Sequence, residues 1–156
     1  MTTLRQKVLA YLTHGDRLLV FSHPHAPEAG IQVPAGTLKD GERPEDGVLR
    51  EANEETGLSR LRLARFLGES LRDMAEFGID QIHHRRYYHV VCEEDPPERW
   101  RHLESDPSDG GPAPIVFEFF WARLPDEVPE LAGAQGEMLP ELMASRRLAG
   151  DGRDTK

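Results

Sequence analysis

At 156 residues the chain is long enough for a substantial core, and it reads as one domain over residues 1–147 with a flexible tail over 148–156. Its 19 basic and 28 acidic side chains leave a formal net charge of −9, which argues against a broad electrostatic grip on a nucleic-acid polymer or an anionic membrane. The single cysteine, Cys92, excludes an internal disulfide, no apolar run approaches the length of a membrane span, and Met1 to Lys7 lacks an apolar signal core, so a cytoplasmic protein is expected.

Lys7 to Leu12 and Arg17 to Ser22 are β-prone runs separated by His14, Gly15 and Asp16, which predicts a hairpin. Ile31 to Val33 is a short extended run that feeds a turn at Pro34, Ala35 and Gly36, with a loop expected from there to Arg43. From Pro44 to Thr56 the pattern is helical, with Pro44, Glu45 and Asp46 suited to a first turn and Gly57 to a stop. Arg60 to Leu67 alternates and reads as a strand, as do Tyr87 to Cys92 and Pro114 to Leu124. Between the last two, Glu93 to Pro114 is rich in Pro, Asp, Gly and Ser and reads as a long loop in which Trp100 pins a short helical turn. Leu131 to Arg147 is amphipathic, with a break expected near Pro140.

On a helix advancing about 100° per residue, Glu51, Glu54 and Glu55 fall within roughly a 100° arc. Val48, Leu49, Ala52 and Thr56 form the adjoining apolar face, so the carboxylate stripe borders a core. Three like charges on one stripe have two readings. One is a solvated face with Asp46 and Arg50 as an i,i+4 pair. The other is a site for hard divalent cations, which take oxygen ligands and assist attack of water on a phosphoanhydride.

The wider spacing separates these readings. Gly36, Glu42, Arg50, Glu51, Ala52, Glu54, Glu55, Gly57 and Leu58 spell G-x5-E-x7-R-E-A-x-E-E-x-G-L. This run of 23 residues resembles the Nudix box at every glycine and charged position, with Ala52 where the strict pattern has a bulkier aliphatic residue. The resemblance implies a Nudix hydrolase of the α/β class, an α/β/α sandwich around a central mixed β-sheet. It implies hydrolysis of a nucleoside diphosphate derivative such as ADP-ribose, a nucleotide sugar, a dinucleoside polyphosphate or a nucleoside triphosphate, with Mg²⁺ or Mn²⁺ as cofactor. Carried over by position, Glu51, Glu54, Glu55 and the Ala35 carbonyl would be metal ligands. Glu54, Glu55 and Arg50 would be catalytic, and the Glu42–Arg50 salt bridge would orient the ligands. Gly47 stands where helices of the family usually carry alanine, and it either opens room for the ions or is neutral drift. A homodimer is compatible with the resemblance, since Nudix dimers often complete their sites across the interface.

Outside the box, Glu118 shares a strand face with Val116 and Phe120, an unusual place for a carboxylate unless it is paired or working, and it is the candidate general base. Glu93, Glu94 and Glu104 are its rivals. His83 to Arg86 form a basic run expected just before the Tyr87 strand, in which Arg85 and Arg86 either receive an anionic group of a small phosphorylated substrate or belong to a solvated loop. His23 and His25 read as ordinary loop residues and Cys92 as a buried strand residue. Two other functions fit the same box. One is a nucleotide sensor without turnover, which the intact glutamates disfavour. The other is isomerisation, which would need Cys92 as a catalytic thiol.

Overall fold

The computed structural model describes residues 2–104 and 115–150. Its strands are β1 (Thr3–His14), β2 (Arg17–Ser22), β3 (Ala35–Thr37), β4 (Leu61–Asp73), β5 (Gln81–Cys92), β6 (Arg99–Glu104) and β7 (Ile115–Arg123). Two α-helices accompany them, α1 (Pro44–Thr56) and α2 (Leu139–Gly150). The strands form one sheet in the order β4-β5-β1-β2-β7-β6, with β3 also on β1. β1 and β5 run parallel over Thr3 to Thr13, and the other pairings are antiparallel, so the sheet is mixed as expected.

Val8 to Leu12 is an unbroken apolar run because β1 is covered on both sides, as central strands of a two-sided sheet are. One face (Val8, Ala10 and Leu12 with Leu19, Phe21, Tyr88 and Phe119) packs on Val48 and Ala52 of α1. The opposite face (Leu9 and Tyr11 with Leu18, Val20 and Tyr87) packs on Leu142 of α2. Alternation along each strand thus places one helix on each side, giving the α/β/α sandwich. Among the described residues no helix is long and apolar enough to cross a membrane.

One edge of β1 is shared. β2 pairs with it at Thr13 and His14, whereas β3 pairs with it at Lys7 to Leu9. Between these branches the Ala10 N–H donates to the Pro34 carbonyl at 2.9 Å. The split matters because Ala35 and Gly36 of β3, and His23 just after β2, line a cavity beside it.

Several expectations need correction. β5 begins at Gln81, so His83 to Arg86 lie within a strand and not in a loop. The expected loop contains β6, and Trp100 lies in that strand rather than in a helical turn. Its sequence, RWRHLE, hides the strand because an edge strand buries little; Trp100 alone joins the core, while Leu103 stays exposed. Pro140 sits in the first turn of α2 and does not break it, because a proline there lacks only an N–H that the helix would leave unpaired. The expected tail begins inside α2, which runs to Gly150; residues 151–156, like 105–114 of the expected loop, lie outside the described residues.

Candidate active site

α1 presents the glutamates, and its ends explain its position. Pro44 opens the first turn, with Glu45 and Asp46 beside the positive end of the helix dipole. At the other end the Gly57 N–H donates to the Asn53 carbonyl, and β6 supplies two more caps. Trp100 Nε1 donates to the Thr56 carbonyl at 2.9 Å, and His102 Nε2 lies 2.9 Å from the Glu54 carbonyl. These contacts satisfy carbonyls that the helix itself leaves without partners.

Arg50 is the hub of the box. Its Nε and Nη2 grip Glu42 in bidentate fashion at 2.7 and 2.9 Å, and its Nη1 donates to Glu51 at 3.0 Å and Glu54 at 3.3 Å. Nη2 also donates to the Thr37 carbonyl at 3.3 Å, tying the helix to β3. The Arg50 hydrogen bond, helped by the Lys39 N–H, holds the Glu42 carboxyl down at about 2, and Glu42 in turn raises the Arg50 pKa. The orienting salt bridge expected from the box is therefore formed.

Glu51 and Glu55 are buried, whereas the Glu54 side chain is half exposed. Burial pushes the Glu51 carboxyl up, against the lowering effect of Arg50. A Cβ built on Gly36 would overlap the Glu51 carboxylate, so glycine lets β3 pass beneath the carboxylate without displacing it. Glu55 accepts the Ala35 N–H at 3.1 Å, which brings the helix and the Ala35 backbone together. The space beside Gly47 is not open for ions, because a Cβ there would overlap Leu38 and approach Glu42 Oε1 at 3.1 Å. Among the described residues no three acidic, histidine or cysteine side chains form a ready-made ion cage; Glu51 and Glu54 turn to Arg50 instead.

Beside the box lies a cavity of about 570 Å³. Ala35, Gly36 and Glu55 form its box-side wall, and Lys7 and Arg85, in register on β1 and β5, line it from the sheet. His83 lines it too, its pKa lowered to about 4 by burial and by the nearby Lys7, Arg85 and Arg5. Arg86, one residue on, points to the face of α1 and donates to Gln6 Oε1 at 2.8 Å; it does not line the cavity. Strand alternation thus divides the two arginines that sequence reading grouped.

Glu118 is not brought to this group. It lies on the sheet face opposite α1, with Arg99 at 2.7 Å and Arg101 at 3.1 Å as ion partners, and these hold its carboxyl below the usual value. The unusual face position is accounted for by pairing, and Glu118 does not line the cavity described above. Glu93 binds Arg62 at 2.6 Å and Glu94 caps the Ser59 and Arg60 N–H groups, so neither faces the cavity. Cys92 is buried against the α1 side of the core, where desolvation raises its thiol pKa, and it is not part of the cavity. His23, Gln32 and Gln135 do line the cavity, and no spacing in the sequence marks them.

The NUDIX domain family model matches residues 3–142. Among solved structures, the chain is similar to a UDP-X diphosphatase (TM-score 0.67, 14% identity, 96% of this chain but 66% of that one). A NUDIX hydrolase from Nitrosomonas europaea is similar at a TM-score of 0.66 and 19% identity, over 92% of this chain and 90% of that one. A MutT NUDIX hydrolase from Burkholderia pseudomallei aligns at a TM-score of 0.60 and 23% identity, over 90% of this chain and 98% of that one. The fold is shared with all three. With the family model spanning nearly the whole chain and the box geometry intact, this protein belongs to the NUDIX domain family.

Proposed function

We propose that the protein hydrolyses a phosphoanhydride bond of a nucleoside diphosphate derivative, with a divalent cation, Mg²⁺ or Mn²⁺, held by Glu51, Glu54, Glu55 and the Ala35 carbonyl. The observation that carries this reading is the seating of the buried Glu51 carboxylate on the backbone of Gly36. A buried carboxylate is expensive unless it is compensated, and Arg50 reaches only one of its oxygens, Oε2. The donor set is all oxygen, as a hard cation requires. When bound, the cation neutralises the anhydride oxygens and acidifies the attacking water.

The remaining work belongs to the chain. Arg50, fixed by Glu42, holds Glu51 and Glu54 on one side of α1. Glu55, on the cavity wall, takes the proton that the attacking water loses, while Glu54 stays paired to Arg50. The water oxygen bonds to one phosphorus, the bridging P–O bond breaks, and two phosphate-bearing products leave. Arg85, buried and directed to the same cavity, receives an anionic oxygen of the substrate. The UDP-X diphosphatase likeness is in keeping with a nucleotide-linked substrate.

The test is incubation with Mg²⁺ and a panel of ADP-ribose, nucleotide sugars, dinucleoside polyphosphates and nucleoside triphosphates, followed by chromatography of the products. Cleavage at an anhydride, lost on chelation, is the expected result. Saturable binding of panel members with no cleavage under any metal would replace hydrolysis with sensing.

A further inference from the structure

The chain between β7 and α2 forms the cavity wall facing Arg85, and the box makes no use of it. Within it a 3₁₀ stretch, Ala132–Met138, holds two successive residues in the left-handed region, Gly133 at φ 62° and Ala134 at φ 60°. That conformation costs an alanine on the order of 1 kcal/mol, so the wall must be held by its contacts. The Val33 N–H donates to Gln135 Oε1 at 2.8 Å, and the Tyr11 hydroxyl donates to the Gln135 carbonyl at 2.6 Å while accepting the Met138 N–H at 3.1 Å. Glu137 accepts from Tyr87 at 2.5 Å, Ser70 at 2.9 Å, Arg72 at 3.2 Å and Arg85 at 3.4 Å. Burial pushes the Glu137 carboxyl up, but these donors outweigh it and keep the group ionised.

At this wall Arg85 and Gln135 present donors to the cavity. Arg85 is only 3% exposed; its Nη1 is occupied by Tyr87 and Glu137. Its Nη2 has Met74 Sδ at 3.7 Å, a weak acceptor, and lies 3.6 Å from where a Cβ on Gly133 would stand. A buried guanidinium edge with so poor a partner is suited to an incoming anion. Gln135 has its orientation set by the Val33 N–H, which must meet the amide oxygen, so its Nε2 donors are the end available to a ligand.

We propose that Arg85 and Gln135 form a donor-only corner of the cavity that takes a phosphate group of the substrate, with Glu137 as the positioning residue that aims Arg85. This rests on the cavity being the substrate site of the hydrolase. An anionic, all-acceptor group fits a corner that offers only donors and a buried positive charge; an ammonium group would meet donors and a like charge, and a neutral hydroxyl would leave the guanidinium without a counter-charge.

Glu137→Gln and Gln135→Glu test the assignment. The second keeps an oxygen for the Val33 N–H and replaces the donors with a negative charge, so the wall keeps its latch. With a substrate of the wild-type protein, both variants are expected to raise KM about tenfold or more with kcat within about threefold, at a melting temperature within a few degrees of wild type. Calorimetric titration with inorganic pyrophosphate in the absence of metal is expected to show at least tenfold weaker binding for Gln135→Glu. Should Glu137→Gln fail to fold, Gln135→Glu decides by the same measurements. KM and pyrophosphate affinity within twofold of wild type would overturn the corner, and a fall in kcat at unchanged KM would overturn positioning by Glu137. Absence of turnover in the wild-type protein, with pyrophosphate binding still dependent on Gln135, would sink the hydrolytic reading and leave the corner standing.

Discussion

The Glu51 carboxylate occupies the space that a side chain at Gly36 would need. The first glycine of the box and its first helical glutamate are thus one steric unit, fifteen positions apart in sequence. Gly36→Ala is expected to displace Glu51 or the β3 backbone, with a cost of about 1–3 kcal/mol as in other overpacked sites. Turnover should fall by about two orders of magnitude or more. Thermal unfolding and steady-state kinetics on one preparation check both halves, and wild-type activity in Gly36→Ala would show that the carboxylate is free to move.

The Glu42–Arg50 pair makes stability depend on acid. Glu42 titrates at about 2 in the folded chain, below the ordinary carboxylate value of 4.5, so its contribution is fully present above roughly pH 5 and is lost as pH falls toward 2. The side chains are 14% and 20% exposed, and after allowance for solvent screening the effect is on the order of 1–2 kcal/mol. Urea unfolding of wild type and Glu42→Gln between pH 7 and 3 is expected to show the two curves converging on acidification. Parallel curves would mean the pair does not titrate as described.

Trp100 joins the last strand pair to α1 through Nε1 and the Thr56 carbonyl, and it stacks on Phe119 with ring centroids 5.2 Å apart. Trp100→Phe keeps most of the stacking and removes the donor. A loss of about 1 kcal/mol is expected, read as a melting temperature lower by roughly 2–4 °C.

Glu118 is paired outside the cavity and is expected to take no part in the chemistry. Glu118→Gln should leave kcat and KM within twofold of wild type, because the side chain lies across the sheet from α1 and is paired to Arg99 and Arg101. A hundredfold loss of kcat in this variant would restore it as the base.

How much of this the sequence discloses follows from the kind of signal each residue sends. The box is legible because its steric and ionic requirements are local: Gly36 must lack a side chain, Glu42 and Arg50 must meet, and the glutamates must share a stripe. The central strands are legible because Val8 to Leu12 must be apolar on both faces. β6 is hidden because an edge strand tolerates arginine and histidine, and only Trp100 carries its core contact. Arg85 and Arg86 look alike in sequence, and only the strand register assigns one to the cavity and the other to the opposite face. Gln135 and Glu137 lie far from the box in the chain; Gln135 reaches the cavity, and Glu137 reaches Arg85, through tertiary contacts with Val33, Tyr87 and Ser70, which leave no period to read.

Cation-dependent hydrolysis of a phosphoanhydride by the α1 glutamates can be followed by phosphorus NMR of ADP-ribose and a nucleotide sugar, with wild type and Glu55→Gln, with Mg²⁺ and with chelator. Loss of the diphosphate signal and growth of phosphomonoester signals are expected for wild type with Mg²⁺, and a rate at least about a hundredfold lower for Glu55→Gln or after chelation. Equal rates in Glu55→Gln and wild type, or cleavage that persists undiminished in chelator, would contradict it.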